Sequence, residues 1–268
     1  MNDARTELAA IAGCLRAYLE WHADTGSEGL ARGGREPRQA LTAEVRPTAA
    51  AAVTPAATSV SLDRATPGAD ARVRLPELMR EVASCTRCSL SASRTQTVFA
   101  RGNPQASLCI VGEAPGAEED AQGLPFVGRA GQLLDRMIGA MGLSPERDVY
   151  ICNIIKCRPP GNRRPEPEEI ATCIPYLHEQ IALVRPRAIV ALGNTAVAAL
   201  LDTNVGITKL RGQWKLYRGH TLVMPTYHPS YLLRPSPQQI EAKRQAWQDL
   251  QVVMKELGLA PATRPADR

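Results

Sequence analysis

A buried-strand pattern that ends at a glycine-rich turn is the feature that most constrains this chain. Residues 108–111 are all apolar, and the sequence Gly-Glu-Ala-Pro-Gly follows at residues 112–116. A strand that is apolar at every position is typical of a parallel sheet covered on both faces. Glycine and proline then allow the chain to turn sharply. Glu113 is therefore expected at the carboxyl end of a strand, where open α/β sheets bind their ligands.

The rest of the sequence alternates between strand and helix patterns. The predicted strands and helices are residues 107–112, 149–155, 188–192 and 221–226 (strands) and 129–141, 167–184, 195–201 and 238–257 (helices). This alternation predicts an α/β fold, and specifically a three-layer α/β/α sandwich around a central four-stranded, mostly parallel sheet. Glu113, Asn153 and His228 fall where three of the strands end, so we expect them at one rim of the sheet.

Three segments of different character follow one another along the chain. Residues 1–23 have leucine and isoleucine at helical spacing and predict a short amphipathic helix. Residues 24–72 are rich in alanine and proline and predict a flexible linker. Residues 73–260 form the predicted folded domain. We expect the N-terminal helix to pack on that domain or to bind an unidentified protein partner.

Charge and cysteine content limit the class of protein. Residues 1–70 contain seven basic and nine acidic residues, so the net charge of +5 comes from the rest of the chain, where a polyanion is expected to bind. The chain has 7 cysteines, no convincing export signal and no apolar run long enough to span a membrane. We expect a monomeric cytoplasmic protein whose cysteines bind a metal or cluster rather than forming disulfides.

Four of the cysteines have the spacing of metal ligands. Cys85 and Cys88 form a C-x2-C pair, and Cys157 and Cys173 follow on either side of an irregular, arginine-rich and proline-rich segment. Four thiolates suit either a tetrahedral zinc ion or a [4Fe-4S] cluster, and spacing does not separate the two. The alternative for Cys157 and Cys173 is that they are ordinary buried thiols. The remaining cysteines are interpreted as non-ligands: Cys14, Cys109 and Cys152.

The region from residue 85 to residue 257 resembles the family 4 uracil-DNA glycosylases. The resemblance rests on several motifs in order: Cys85-x2-Cys88, Gly112-Glu-Ala-Pro-Gly116, Pro125-Phe-Val-Gly-Arg-Ala-Gly-Gln-Leu-Leu134, Asn153-x3-Cys157-Arg-Pro-Pro160, Cys173, Gly193-Asn194 and His228-Pro-Ser-Tyr-Leu-Leu233. It implies a four-stranded α/β/α fold, a [4Fe-4S] cluster on Cys85, Cys88, Cys157 and Cys173, and removal of uracil from DNA.

Two side chains are candidates for binding an extruded base. The resemblance implies that Phe126 stacks on uracil and that Asn153 bonds to its O4 and N3–H, for which an amide has the matching acceptor and donor. A loop phenylalanine tucked into the core and an asparagine bonded to neighbouring backbone are the alternatives. Gly112 and Ala114 are expected to bring backbone amides close to the base.

The chemical step is assigned to His228 and Glu113, with Asn153 as the third candidate catalytic residue. A donor near O2 of the departing uracil stabilises its negative charge, which suits His228. Glu113 is suited to orient or deprotonate water or to stabilise the sugar cation. For His228, the alternative is a histidine that only caps the end of a strand. Glu119 and Asp120 either support Glu113 or are solvated loop charges.

DNA contacts are predicted beside these residues. Tyr231, Leu232 and Leu233 are interpreted as a wedge that fills the place of an extruded nucleotide, with Leu232 or Leu233 at its tip. The alternative is the start of a hydrophobic helix that packs on the core. Phosphate contacts are expected from basic residues flanking the motifs, for each of which solvated surface charge is the alternative: Arg158, Arg163, Arg164, Lys209, Arg211 and Arg234.

The sequence therefore predicts a monofunctional uracil-DNA glycosylase that hydrolyses the N-glycosidic bond of deoxyuridine, leaves an abasic site and acts on uracil-containing DNA. A related protein that traps uracil-DNA without turnover is one alternative, but no arginine-rich loop carrying a histidine follows Asn153. A broader family 5 glycosylase, typically apolar where Glu113 stands, is a second alternative. A zinc-bound nucleic-acid-binding module is a third.

Overall fold

The computed structural model describes residues 69–259 of the chain. The predicted N-terminal helix at residues 1–23, and residues 24–68 of the predicted linker, lie outside these residues. Within the described part, an α-helix already begins at Ala69, so the linker ends before residue 72. The helix start is hard to recognise from sequence, because residues 69–72 (Ala-Asp-Ala-Arg) contain no large apolar side chain.

The sheet has six strands in the described residues rather than the four that were predicted. Their spatial order is β1-β3-β2-β4-β6-β5. The strands are β1 (Arg101–Gly102), β2 (Leu108–Gly112), β3 (Val149–Asn153), β4 (Ala188–Leu192), β5 (Lys215–Tyr217) and β6 (Thr221–Thr226). The four central strands are parallel and correspond to the predicted ones, whereas β1 and β5 add antiparallel edges.

The central strands are covered on both faces. Every residue of β2, β3 and β4 is buried. Since successive side chains of a strand point to opposite faces, burial at every position requires packing on both sides of the sheet. β1 and β5 escaped prediction because two or three residues are too few to show an alternating pattern.

Eight α-helices accompany the sheet in the described residues. They are α1 (Ala69–Ala83), α2 (Ala117–Gln122), α3 (Arg129–Ala140), α4 (Pro167–Val184), α5 (Gly193–Leu201), α6 (Ile207–Leu210), α7 (Pro229–Leu232) and α8 (Gln239–Leu257). The four long predicted helices correspond to α3, α4, α5 and α8. None of the helices between residues 69 and 259 is long and apolar enough to cross a membrane.

The parallel register places three chemically important residues at the same rim. Gly112 at the end of β2 lies opposite Asn153 at the end of β3. β6 ends at Thr226, and His228 follows two residues later as the N-terminal cap of α7. Because parallel strands share their direction, these ends meet at one edge of the sheet, and the cleft described next lies there.

Candidate active site

A cleft of about 340 Å³ lies at the carboxyl ends of the central strands. Six of the predicted site residues line it: Glu113, Ala114, Phe126, Asn153, Arg163 and His228. They come from four separate parts of the sequence. The turn at residues 113–116, the start of α3 and the segment after Cys157 supply most of the remaining wall. The cleft is therefore the place where the predicted base-binding and catalytic side chains converge.

Asn153 has a buried acceptor without a partner. Its side chain is 2% exposed, and Oδ1 has no hydrogen-bond partner among the described residues. An unpaired buried polar atom costs about 1–3 kcal/mol, so native proteins rarely retain one without a reason. Gly112 makes room for this amide, since a Cβ on Gly112 would lie 2.5 Å from Asn153 Oδ1 and 2.4 Å from Phe126 Cζ.

Phe126 is held in an unusual backbone conformation. Its φ angle is +56°, in the left-handed region that non-glycine residues seldom adopt. Arg101 anchors the loop that carries Phe126. Its Nε donates to the Pro125 carbonyl at 2.8 Å, and its Nη2 donates to the Phe126 carbonyl at 3.2 Å. Gly131 is also needed here, because a Cβ at that position would overlap the Phe126 carbonyl. The ring is 5% exposed, yet it lines the cleft.

His228 is held as a neutral donor. The backbone N–H of Ser230 donates to His228 Nδ1 at 3.1 Å, so Nδ1 is an acceptor and the proton of the neutral ring is on Nε2. The pKa of His228 is lowered from 6.5 to about 4, chiefly by burial; Glu119 opposes this shift and Arg234 adds to it. The ring centroid lies 5.7 Å from that of Phe126, with an angle of 31° between the planes.

The approach of His228 depends on Gly193. Gly193 has a φ angle of +85°, and a Cβ at that position would lie 3.1 Å from His228 Cβ. The Gly193–Asn194 pair predicted at the rim thus serves packing. Asn194 acts on a neighbouring element, because its Oδ1 accepts a hydrogen bond from the Ile207 amide at 2.7 Å at the start of α6.

Glu119 ties together the two loops that form the cleft. Its Oε2 accepts from the Gly116 amide at 3.0 Å, and its Oε1 accepts from the amides of Val127 and Gly128 at 2.9 Å each. Glu119 was predicted either to support Glu113 or to be a solvated loop charge; its hydrogen bonds instead hold the turn at residue 116 and the loop at residues 127–128. Asp120 is also buried and accepts from the Thr95 amide at 2.9 Å.

Asn162 lines the cleft and was missed by sequence reasoning. It has a φ angle of +56° and ends a short 3-10 turn at Pro160–Asn162. Its Oδ1 accepts from Arg158 Nε at 2.7 Å. The only signal in the sequence was its place in a Pro-Gly-Asn turn, which is equally typical of a plain surface loop.

The predicted phosphate-binding arginines differ in whether their guanidinium groups are already bound within the protein. Arg163 makes a two-pronged ion pair with Glu169, at 2.9 and 2.6 Å, so its guanidinium anchors the loop to the start of α4. This contact lowers the pKa of the Glu169 carboxyl. Arg211 is bound to the buried carboxylate of Asp249. Arg158 contacts Asn162, whereas Arg164 and Arg234 have exposed side chains.

The predicted wedge needs one correction. Leu232 has a fully buried side chain, because it belongs to the short helix α7 and packs into the core. It therefore cannot be the tip that enters DNA. Tyr231 is 42% exposed, and Leu233 is partly exposed beyond the end of α7. The helix-start alternative describes Leu232, while Tyr231 lies against the Tyr227 ring, with 5.1 Å between the centroids, and Leu233 packs partly against the core.

The four predicted ligand cysteines line one cavity, away from the cleft. The cavity includes Cys85, Cys88, Cys157 and Cys173, together with residues of α1 and α4. Arg94 Nη1 lies 3.2 Å from Cys157 Sγ, and the Lys156 amide donates to Cys173 Sγ at 3.3 Å. Burial raises the pKa of the Cys157 thiol and raises that of Cys173 to about 11. Cys109 and Cys152 are fully buried in strands, as predicted for non-ligands.

Comparison with known proteins identifies the family. The model of the uracil DNA glycosylase superfamily matches residues 99–251. The type-4 uracil-DNA glycosylase of Thermotoga maritima is 50% identical over 165 residues, which cover 61% of this chain and 85% of the relative. That of Sulfurisphaera tokodaii is 45% identical over 167 residues, covering 59% and 76%.

A type-5 relative is more distant. The type-5 uracil-DNA glycosylase of Pyrobaculum aerophilum is 31% identical over 198 residues, which cover 60% of this chain and 87% of the relative. The higher identity to the type-4 proteins agrees with Glu113, the residue that separated the two families in the sequence. The chain therefore belongs to the uracil DNA glycosylase superfamily, and within it to the type-4 uracil-DNA glycosylases.

Proposed function

We infer that this protein is a monofunctional uracil-DNA glycosylase that hydrolyses the N-glycosidic bond of deoxyuridine in DNA, releasing uracil and leaving an abasic site. The observation that carries this inference is the unpaired Oδ1 of Asn153, in a cleft that also holds Phe126 and His228. No lysine lines the cleft among the described residues, so no amine is placed there for strand cleavage through a Schiff base.

Asn153 supplies the recognition of uracil in this proposal. Its Oδ1 accepts a hydrogen bond from uracil N3–H, and its amide nitrogen donates to uracil O4. Cytosine carries an acceptor at N3 and a donor at its amino group. It would therefore place an acceptor opposite Asn153 Oδ1 and a donor opposite the amide nitrogen. Phe126 stacks on the flipped base, a contact worth about 1–3 kcal/mol for an aromatic ring. Gly112 and Ala114 bring the backbone close to the base.

His228 stabilises the departing uracil. Negative charge develops on uracil O2 and N1 as the bond to the sugar breaks, and the Nε2–H of neutral His228 donates to O2. A donor aimed at developing charge lowers the barrier more than it tightens substrate binding, and losing one typically costs about 100- to 1000-fold in rate. Ser230 fixes the tautomer that makes Nε2 the donor.

Glu113 and Asn162 face the sugar and the attacking water. The carboxylate of Glu113 is available to orient or deprotonate water and to stabilise the sugar cation. Asn162 lies on the same wall, with its side chain fixed by Arg158. The base is therefore held by one set of residues and the water by another.

The DNA surface is assigned to exposed residues beside the cleft. Tyr231 and Leu233 enter the space left by the extruded nucleotide, while Arg164 and Arg234 neutralise phosphates. Arg158 reaches the backbone from the segment that carries Asn162. Arg163 acts indirectly, because its ion pair with Glu169 holds this segment in place.

A [4Fe-4S] cluster on Cys85, Cys88, Cys157 and Cys173 is the proposed cofactor. The four thiols line a single cavity. Such a cluster binds each of four thiolates at a different iron atom, which suits this set of ligands. Bound there, it would cross-link the segment 157–173 to the end of α1.

The function is tested by release of free uracil from an oligonucleotide with one deoxyuridine. Purified wild-type protein is compared with Glu113→Ala, Asn153→Ala and His228→Ala, each with a measured iron content. We expect kcat to fall at least about 100-fold for Glu113→Ala and His228→Ala. Asn153→Ala is expected to raise the inhibition constant of free uracil as well. His220→Ala changes an exposed histidine outside the cleft and serves as the matched control.

Two outcomes contradict this function. If wild-type protein with intact cofactor releases no uracil from single- or double-stranded DNA, it is not a glycosylase. A protein–DNA adduct that survives denaturation identifies the trapping alternative instead. Of the histidines in the described part of the chain, His178, His220 and His228, the cleft includes only His228, which the glycosylase mechanism already uses.

A further inference from the structure

Lys156 is a buried lysine between the cysteine cavity and the cleft. Its side chain is 1% exposed and is the largest of the fully buried side chains in the described residues. Nζ donates to the Asn153 carbonyl at 2.7 Å and to Gln180 Oε1. The ammonium therefore bonds to the main chain of the residue whose side chain faces the base.

The charge of Lys156 is not balanced by a buried carboxylate in the described residues. Three carboxylates are buried there, and each is occupied elsewhere. Asp120 accepts from the Thr95 amide, Glu169 is paired with Arg163, and Asp249 is paired with Arg211. The two hydrogen bonds of the ammonium do not neutralise it, and a buried charge is stabilised by an opposite charge as well as by hydrogen bonds.

The cysteine cavity provides that counter-charge. Lys156 lines the cavity, and its own amide donates to Cys173 Sγ at 3.3 Å. Four thiolates carry more negative charge than an iron–sulfur core neutralises, so the loaded site is anionic. Lys156 thus contacts the anionic site through its backbone amide and the main chain of the recognition residue through its ammonium.

We propose that Lys156 is a positioning residue that couples the two sites. Its ammonium is a buried counter-charge of the four-cysteine site, in addition to the partly buried guanidinium of Arg94 beside Cys157, and it holds the Asn153 main chain in place for uracil. This proposal rests on the cofactor and the base-recognition role given above. Loss of the charge is expected to change both the cluster and the binding of uracil, which lie on opposite sides of the residue.

The test compares Lys156→Met, which removes the charge, with Lys156→Arg, which keeps it. Two quantities are measured on protein with intact cluster: the reduction potential of the cluster and the inhibition constant of free uracil. For Lys156→Met we expect a more negative potential, because the reduced cluster loses a nearby positive charge. We also expect the inhibition constant to rise about tenfold, as for loss of one buried hydrogen bond from a charged group. Lys156→Arg is expected to retain the wild-type potential.

Arg87→Gln is the matched control. Arg87 also lines the cysteine cavity, but its side chain is exposed and its guanidinium lies over the Tyr176 ring rather than at the cleft. We expect little change in either quantity, because water screens an exposed charge. If cluster-loaded Lys156→Met has the wild-type inhibition constant for free uracil, Lys156 does not position Asn153. If its cluster has the wild-type reduction potential, Lys156 is not a counter-charge of the four-cysteine site.

A second measurement uses the unmutated protein. If the two sites are coupled, saturating free uracil must shift the reduction potential of the wild-type cluster, because coupling free energies are reciprocal. An unchanged potential overturns the proposal even if Lys156→Met does not fold. Failure of the underlying assignments looks different: wild-type protein without iron and sulfide contradicts the cofactor, and wild-type protein without uracil release contradicts the function.

Discussion

At the scale of single residues, His228 is held so that it can donate a hydrogen bond from Nε2 while its ring remains neutral. The Ser230 amide occupies Nδ1, and burial disfavours an imidazolium ion. A neutral donor has a lower cost of burial than a cation, and in the proposed mechanism it still meets the developing charge on uracil O2. Activity is therefore expected to be independent of the ionisation of this ring near neutral pH.

The protonation of His228 is our first prediction at this scale. We expect ¹⁵N NMR of histidine-labelled protein to show Nε2 protonated and Nδ1 bare at pH 6, with half-protonation near pH 4. Because the unfolded chain binds this proton with a pKa near 6.5, it takes up more protons than the folded chain between about pH 6.5 and 4. The free energy of unfolding should therefore fall as the pH is lowered through that range.

His228→Gln is the reference for this measurement, since it removes the titrating ring. The free energy of unfolding of the wild type should fall relative to that of His228→Gln as the pH is lowered from about 6.5 to 4. A His228 resonance that titrates near pH 6.5 would contradict the neutral-donor assignment.

Gly112→Ala is a second prediction at the residue scale. The added Cβ would overlap Phe126 Cζ at 2.4 Å and Asn153 Oδ1 at 2.5 Å, so the base pocket must deform. We expect the inhibition constant of free uracil to rise more than tenfold while far-UV circular dichroism stays unchanged. Gly206→Ala is the matched control, because its nearest contact is 4.0 Å away and its backbone is in an ordinary conformation. Wild-type inhibition by uracil in Gly112→Ala would mean that the base does not occupy this corner.

At the scale of elements, the cleft walls depend on one carboxylate at the start of α2. Glu119 accepts hydrogen bonds from the 116 turn and from the loop at 127–128, so it fixes the loop that carries Phe126. Glu119→Ala leaves three amides without their acceptor. We expect kcat/KM to fall about tenfold or more and the loop to become sensitive to limited proteolysis, with the cluster absorbance unchanged.

The control for Glu119→Ala is Glu168→Ala, which removes an exposed acid from the first turn of another helix. Its effect on kcat/KM is expected to be small. If Glu119→Ala leaves both the kinetics and the proteolysis pattern as in wild type, the hydrogen bonds of Glu119 do not support the cleft.

Prediction from sequence succeeded where one pattern decides the structure. β4, β6 and α4 have the predicted bounds, because a continuous apolar run or a helical period ends at clear turn residues. It failed where the local pattern is too short to read or where a contact between two loops decides. Leu232 faces inward because of the phase of a four-residue helix, and the contacts of Glu119 with residues 127 and 128 exist only once two loops have met.

At the scale of the whole molecule, the cysteine cavity connects distant segments. It brings α1 and the C-x2-C pair against the segment after β3 and the first half of α4. An irregular segment of this kind gains order from the ligand that closes it, because the binding free energy of a cofactor adds to that of folding. Stability and cofactor content should therefore fall together.

Replacing a proposed ligand tests this connection. We expect Cys157→Ala to lose visible absorbance, iron and sulfide, and to lower the free energy of unfolding by roughly 3 kcal/mol or more, a fall in Tm of about 6–12 °C. Cys109→Ala is the control, since it removes a buried thiol from β2 away from the cavity and should keep iron and sulfide. Bound zinc instead of iron and sulfide would identify the tetrahedral alternative.

The backbone of Phe126 has a consequence for how damage is found. A non-glycine residue in the left-handed region stores strain of about 1–3 kcal/mol, which the anchors from Arg101 and Glu119 offset before any DNA is present. If Phe126 stacks on the base as proposed, its ring then needs no ordering at the moment of encounter. During a search along a genome, most extruded bases are normal and must be rejected quickly, so a rigid platform keeps each inspection short.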